Sequence, residues 1–333
     1  MKILVLFDLH RAPLPDETFS AHVLRQDEDK PTEADVLTCL RRLGHETETL
    51  AVFDNVVAIV EKIKSFALDI VFNLTESFHA QRAHELNIPA LLELLKVRYT
   101  GAGPDALLLC KDKSLAKKLL SYHRVRVARF VMSPAHRPLK SIKKFVYPAF
   151  VKPVGEESSD GIAQASFARD EGEALERVKF LHERFEGDVM IEEYIEGREL
   201  YVSVMGNKRL TVFPARELFF EKLPDDAPKF ATQKAKWDDG YRKKWGIKNG
   251  PAAEMDPKVA TKLDQAARTA YRVLKIRGLG RIDVRLSPAN EVIVIEANPN
   301  PSLAREDDFA ESAKMAGTDY DTLIQKILDA AQV

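Results

Sequence analysis

Cysteine is nearly missing: 333 residues contain two, Cys39 and Cys110, far apart in helical stretches. They can form neither a disulfide framework nor a metal-ligand cluster, so both read as core residues in a reducing compartment. No apolar run approaches the roughly 18 residues that a membrane-spanning helix needs, so no membrane partner is expected. The opening stretch Met1–His10 has one leading lysine and is too short for a signal segment with its cleavage site. It reads as a buried strand, and the chain as cytoplasmic. An excess of charge of one sign is lacking too, since 50 Lys and Arg meet 51 Asp and Glu. No nucleic-acid partner is therefore expected, despite a short basic and aromatic run between Thr232 and Trp245. Also missing are a glycine-rich nucleotide fingerprint after the first strand and any Ser/His/Asp or Cys/His arrangement for nucleophilic catalysis.

What is present centres on Gly278–Pro301. Ile282–Leu286 and Glu291–Glu296 are rich in β-branched residues, and Ser287-Pro288-Ala289-Asn290 between them has turn chemistry. Side chains alternate along a strand, so Arg281, Asp283 and Arg285 share one face while Ile282, Val284 and Leu286 take the other. Glu296 and Asn298 share a face on the return strand. A hairpin with those faces aligned gathers two carboxylates and an amide oxygen beside a guanidinium. That is a donor set for Mg2+ (or Mn2+), with phosphate oxygens and water completing the octahedron. A second chemical feature is the polar, small-residue loop Gly155–Gly161 after the strand end Phe150–Pro153. Such a loop can fold over a polyphosphate: Lys113 and Lys152 supply charge, while Ser158, Ser159 and the peptide near Gly161 donate hydrogen bonds.

At Arg281-x-Asp283 and Glu296-x-Asn298, the chain resembles the ATP-grasp superfamily and, within it, D-alanine–D-alanine ligase-like carboxylate–amine ligases. The resemblance runs from about Asp69 onward. It implies an α/β fold of α+β lobes: an N-terminal parallel α/β domain (1–102), a small central lid (103–190) and a C-terminal catalytic part (191–333). It implies ATP and Mg2+, two ions in number, as cofactors. By position, Glu192 matches the residue at the adenine amine, Ile195 the residue whose backbone faces the ring, and Glu199 the acceptor for the ribose hydroxyls. Lys236 matches the lysine that reaches the transferred phosphate. Arg281 falls to the developing acyl oxyanion, and Ser158 joins Arg281 and Lys236 as a catalytic candidate. The expected reaction is amide formation through an acyl phosphate on amino-acid or peptide-like substrates, by a chain that could form a homodimer. The alternatives are a phosphotransferase on the same fold and an ATP-binding module without turnover.

The substrate half departs from that pattern. Phe7-Asp8-Leu9-His10 stands where the family has a glycine-rich turn and an amine-gripping glutamate, and Asn73–Ser77 replaces a His-Gly turn. Ligands of open parallel sheets sit beyond strand C-termini, which makes Asp8, His10 and Glu76 substrate candidates, although each alone also fits a turn. After the hairpin, Ser302, Arg305 and Asp307 are further candidates. Asp307 falls where the family has a serine, so Arg305 would have to meet a substrate carboxylate, or an acid of Glu306–Asp308 an amine.

Elsewhere, helices are expected at Ala34–Gly44, Val56–Ala67, Ala90–Lys96, Ser114–His123, Pro257–Gly278, Phe309–Gly317 and Tyr320–Ala331. Strands are expected at His45–Val52, Asp69–Glu76, Val97–Gly101, Ala128–Ser133, Val189–Ile195 and Gly197–Met205. The segment 11–32 reads as a surface loop, Phe213–Pro251 as irregular, and Asn249-Gly250-Pro251 as a turn.

Overall fold

The computed structural model describes residues 1–14, 16–27, 29–155, 161–185, 187–224 and 227–331. Among them three sheets form, each assembled from a different part of the chain. The first part holds β1 (Lys2–Asp8), α1 (Ala21–Arg25), α2 (Pro31–Arg42), β2 (Glu46–Val52), α3 (Val56–Phe66), β3 (Ile70–Asn73) and α4 (Asn87–Leu94). Its strands run parallel in the order β2-β1-β3. Residues 3–7 are wholly buried because helices cover both faces, which is why β1 reads as an uninterrupted apolar run. Gly44 ends α2 at φ +78°, the left-handed stop read from the sequence. Two expectations change. The segment after β1 contains α1, capped by Ser20 and anchored by buried Leu24. Val97–Gly101 forms a single bridge, Val71 to Tyr99, rather than a strand.

The second part comprises α5 (Pro104–Lys111), α6 (Lys113–Tyr122), β4 (Phe130–Ser133), β5 (Ala149–Pro153), β6 (Phe167–Ala168), α7 (Glu171–Phe185) and β7 (Val189–Glu193). The sheet β4-β7-β5-β6 is antiparallel, with α7 packed against it. β7 pairs with β5 from Val189 through Glu193, so a lobe boundary fits after Glu193 rather than between residues 190 and 191. Helices α5 and α6 bury Ala106, Leu107, Ala116 and Leu120 in the core of the third sheet, not in that of the second.

The third part holds β8 (Arg198–Met205), β9 (Thr211–Val212), β10 (Arg216–Phe220), α8 (Gln233–Trp237), α9 (Asp239–Trp245), β11 (Ile247–Pro251), α10 (Pro257–Val273), β12 (Leu279–Leu286), β13 (Val292–Asn298), α11 (Asp308–Met315) and α12 (Tyr320–Asp329). Its order is β11-β10-β8-β12-β13, with β9 on β8. Phe213–Pro251 is thus more regular than its composition suggests. Asn249-Gly250-Pro251, read as a turn, instead pairs with Leu218, Glu217 and Arg216 as an edge strand. Helix α10 lies behind the hairpin as its apolar stripe requires, burying Val259, Leu263, Ala267 and Ala270. No helix of the described residues is long and apolar enough to cross a membrane.

Candidate active site

The hairpin β12–β13 sets the geometry. Its register pairs Arg281 with Asn298 and Asp283 with Glu296, then shifts between Asp283 and Val284. Ile282, Val284 and Leu286 point into the core, so the polar set is forced onto the opposite face. Arg281 donates to both oxygens of Asp283, at 2.7 and 3.0 Å. The Asn298 side chain has a buried amide nitrogen that meets no hydrogen-bond partner. Turning that amide over would present its oxygen at the same spot.

Helix α6 carries cations to this face. The Asp112 carboxylate accepts from the backbone of Ser114 and Leu115, both at 2.9 Å, which starts the helix at Lys113. One turn separates Lys113 from Lys117, so the two share a helix face. Lys113 Nζ lies 3.3 Å from Glu296 and 3.4 Å from the Val154 carbonyl. Lys117 Nζ lies 3.0 Å from Glu192, whose other oxygen is 2.7 Å from Lys152. All three of these side chains are under 5 % exposed. Burial alone would push the Glu296 carboxyl up, but Lys113, Lys152 and Lys236 outweigh it and hold the group down at about 2. Glu192 is likewise held low against its burial, by Lys117 and Lys152. Asp283 goes the other way, because burial exceeds what Arg281 restores. Lys236 comes from α8, which Thr232 caps by accepting from Ala235 N at 3.0 Å.

The expected nucleotide linker follows β7. Ile195 is buried with Ala128 and Ile293. Glu199 lies 3.3 Å from Arg285 and accepts from the Tyr201 hydroxyl at 2.9 Å. Arg285 also donates to the carbonyls of Gly197 (2.8 Å) and Lys229 (2.5 Å). Gly197 sits at φ +129°, and a Cβ there would lie 2.1 Å from the Leu286 carbonyl oxygen, so only glycine fits the approach of linker to hairpin. Ser158 and Ser159 lie outside the described residues. Gly161 is held by Arg177, which donates to its carbonyl at 2.7 Å. Just beyond it, the Ile162 carbonyl accepts from Gln233 N at 3.2 Å, so the start of α8 touches the chain leaving the lid loop.

The residues expected at the substrate end are less united. The Asp8 carboxylate accepts from Glu76 N at 2.7 Å and from the Ser77 hydroxyl at 2.5 Å, which fixes the turn after β3. Glu76 and His10 are exposed. Ser302 meets the Thr32 hydroxyl at 3.0 Å, tying the segment after β13 to the start of α2. Asp307, beside it, is exposed. Arg305 does not approach the acid pair. Its guanidinium stacks on Tyr320 at 4.0 Å, and its nearest carboxylates are Asp35 (3.7 Å) and Asp321 (3.9 Å). It lines an open cleft together with Arg42 of α2 and Tyr320 and Asp321 of α12. Asp308 accepts from Arg216 at 2.9 Å and from Asn249 at 2.8 Å.

Sequence reasoning overlooked Lys117, although its spacing of four from Lys113 was a usable signal. It also overlooked Lys30 and Glu33, paired at 3.1 Å around the first turn of α2, where Asp8 and Glu76 add to the field on Lys30. The missing cue was the helix start at Pro31, which the expected loop concealed. Phe150 and Phe230, edge to face at 4.9 Å beside Tyr194, make an aromatic wall by the linker. No group of three or more His, Cys, Asp or Glu among the described residues is placed to hold a metal. The hairpin set contains two acids and an amide. An orphaned amide end on a hairpin whose register sets two carboxylates opposite each other, with lysines acting on Glu296, fits a hard divalent cation carrying phosphate.

Comparison with known proteins reaches the same place. The family model described as D-ala D-ala ligase C-terminus matches residues 111–329, more than half of the chain. The chain belongs to that family. It is 29 % identical over 271 residues to a D-alanine–D-alanine ligase of Proteus mirabilis, covering 79 % of this chain and 69 % of that one. An uncharacterised protein of Sinorhizobium fredii is also 29 % identical, over 301 residues, covering 89 % of this chain and 86 % of the other. The fold matches the crystal structure of a Bacillus anthracis D-alanine–D-alanine ligase complexed with ATP. The TM-score is 0.73 at 19 % identity, with coverage of 99 % and 97 %. The family member described here is accordingly an ATP-dependent ligase with an ATP-grasp fold.

Proposed function

We propose that the chain joins a carboxylate to an amine at the expense of ATP, through an acyl phosphate, on amino-acid or small-peptide substrates. The observation that supports this most is the convergence of Lys113, Lys152 and Lys236 on Glu296 opposite the Asp283–Arg281 pair. A carboxylate does not condense with an amine at neutral pH because oxide leaves too poorly. Transfer of the γ-phosphoryl group to a carboxylate oxygen gives an acyl phosphate and ADP. The amine then attacks the acyl carbon, phosphate leaves with the C–O electron pair, and the ammonium loses a proton to give the amide. Both steps spread charge over oxygens rather than consuming a side-chain nucleophile. Mg2+, held by Asp283, Glu296 and Asn298, would neutralise the phosphate oxygens. Lys113, Lys152 and Lys236 bind the phosphates, Arg281 meets the acyl oxygen, and Glu192, Ile195 and Glu199 hold the nucleoside.

We infer that the substrate pocket differs from that of D-alanine–D-alanine ligases. Asp8 is occupied with the turn at Glu76–Ser77, and the charged pair Lys30–Glu33 stands at the start of α2. The substrate is therefore not assumed to be D-alanine. Incubation with ATP, Mg2+ and pools of amino acids that include D-alanine, reading phosphate release and product mass, tests the reading. Phosphate release that requires both an acid and an amine, with a product lighter by one water than their sum, is expected. A phosphorylated acid without amine dependence would make the chain a phosphotransferase instead.

A further inference from the structure

Buried charge at the nucleotide end is distributed unevenly over its partners. Lys113 is matched to Glu296, and Arg281 to Asp283. Glu192 has two lysines in ion-pair contact, one on each oxygen: Lys152 at 2.7 Å and Lys117 at 3.0 Å. The two lysines differ in what else they can reach. Lys152 is the penultimate residue of β5, three residues before Gly155 opens the polar loop, and its charge also acts on Glu296. It therefore stands between the linker carboxylate and the proposed phosphate site. Lys117 projects from the middle of α6, is 1 % exposed, and has Glu192 as its only ion-pair partner among the described residues. Its ammonium makes no hydrogen bond of good geometry there, so the contact is one of charge.

A buried carboxylate cannot be left without a cation, because the desolvation of an uncompensated charge far exceeds any single hydrogen bond. If Lys152 were the sole partner of Glu192, turning it toward a phosphate would strand that carboxylate. We propose that Lys117 is a positioning residue: it is the standing counter-ion of Glu192, and by holding that carboxylate it releases Lys152 for the nucleotide's phosphates. This rests on the ligase reading above, which places ATP at this end of the cleft. Lys117 itself touches neither base nor phosphate in this account and acts through its partner.

Equilibrium binding of ATP with Mg2+, which needs no knowledge of the acceptor, separates the possibilities. Lys117→Met in the otherwise native chain leaves Lys152 drawn to Glu192, so ATP should bind about tenfold more weakly. In a Glu192→Gln background there is no carboxylate to neutralise, and the same Lys117→Met change should alter the affinity by less than about twofold. Packing alone would produce the same loss in both backgrounds, and that result would overturn the proposal. So would native affinity in the single variant. Should Lys117→Met fail to fold while Lys117→Met/Glu192→Gln folds, the stranded carboxylate is demonstrated directly. The comparison of the double variant with Glu192→Gln then decides the rest, with a loss beyond about twofold counting against us. A wild-type chain that binds no ATP would instead defeat the functional reading on which this one stands.

Discussion

The two ends of the cleft use charge in opposite ways. At the nucleotide end, charged groups from α6, β5 and β7 are buried against one another beside the half-buried Glu296 of the hairpin. Lys113 and Lys152, with Lys236 of α8 adding its field, hold Glu296 down at about 2. That arrangement is poor economy for stability, since apolar residues of the same volume would often serve the fold as well or better. Its persistence is better explained by a ligand that shares the charges. At the substrate end, two of the carboxylates offered as substrate contacts, Asp8 and Asp308, are engaged with the chain itself, as is Asp35, while Glu76 and Asp307 are exposed. Asp8 fixes a turn, Asp308 joins Arg216 and Asn249, and Asp35 accepts from the backbone of Arg305 at 3.0 Å. Buried charges that outnumber structural needs mark the chemistry; charges absorbed into turns and caps mark the scaffold.

Glu296→Gln should break the nucleotide end most severely. It removes one anionic donor from the hairpin and the partner of Lys113, and Mg2+-dependent phosphate release should fall by about a thousandfold or more. Retained turnover would dissolve the contrast between the ends. The same variant carries a pH signature in the metal-free protein. Because the folded-state carboxyl lies at about 2 against an ordinary 4.5, Glu296 contributes stability above pH 4.5 that is lost as pH falls toward 2. Acid unfolding followed by circular dichroism should therefore be shallower across that window in Glu296→Gln than in the wild type. Asp283, whose shift is upward mainly through burial, has the opposite sign; Glu296 adds to that shift, so it is smaller in Glu296→Gln and offsets part of the difference.

At the other end, Asp8→Asn should act on stability before function. The amide retains one acceptor and loses the charge that meets Glu76 N and the Ser77 hydroxyl, at a cost of about 1–2 kcal/mol in urea unfolding. A variant of native stability with impaired substrate KM would show that Asp8 grips substrate and that the two ends are more alike than drawn.

How much of this was legible follows the same divide. The faces of the hairpin could be read because period-2 alternation sorts each strand's side chains. The register set at the Ser-Pro-Ala-Asn turn, however, would put Asp283 opposite Ile295. The shift between Asp283 and Val284 that brings it opposite Glu296 left no mark in the sequence. Lys113 was legible because Asp112 announces the helix start beside it. The ion pairs of Lys152 and Lys117 with Glu192 were not, since 152 and 192 meet through the pairing of β5 with β7, and Lys117 reaches them from α6, which is anchored in the core of the third sheet. β11 was hidden because Asn249-Gly250-Pro251 has the composition of a turn, and an edge strand tolerates it. The destination of Arg305 was hidden for a similar reason: a lone arginine in a loop gives no sign of the Tyr320 ring that captures it.

That capture gives the smallest and most discriminating test. The Arg305 guanidinium lies over Tyr320 at 4.0 Å and reaches Asp35 and Asp321 only at 3.7 and 3.9 Å, with the side chain 37 % exposed. Ion pairs that long and that open contribute little, and an exposed stack on an aromatic ring about 0.5–1 kcal/mol. Arg305→Ala should lower stability by no more than about that amount and leave the KM of both acid and amine substrates within about twofold. If Arg305 instead supplies the contact for a substrate carboxylate, KM for one substrate should rise by about tenfold or more while stability stays put, because a charged hydrogen bond made only to a ligand has no counterpart in the empty protein. In that event the segment 302–307 re-aims when substrate arrives, the hydrogen bond from Arg305 N to Asp35 is its pivot, and the substrate end works by exchange of partners rather than by a set that is already in place.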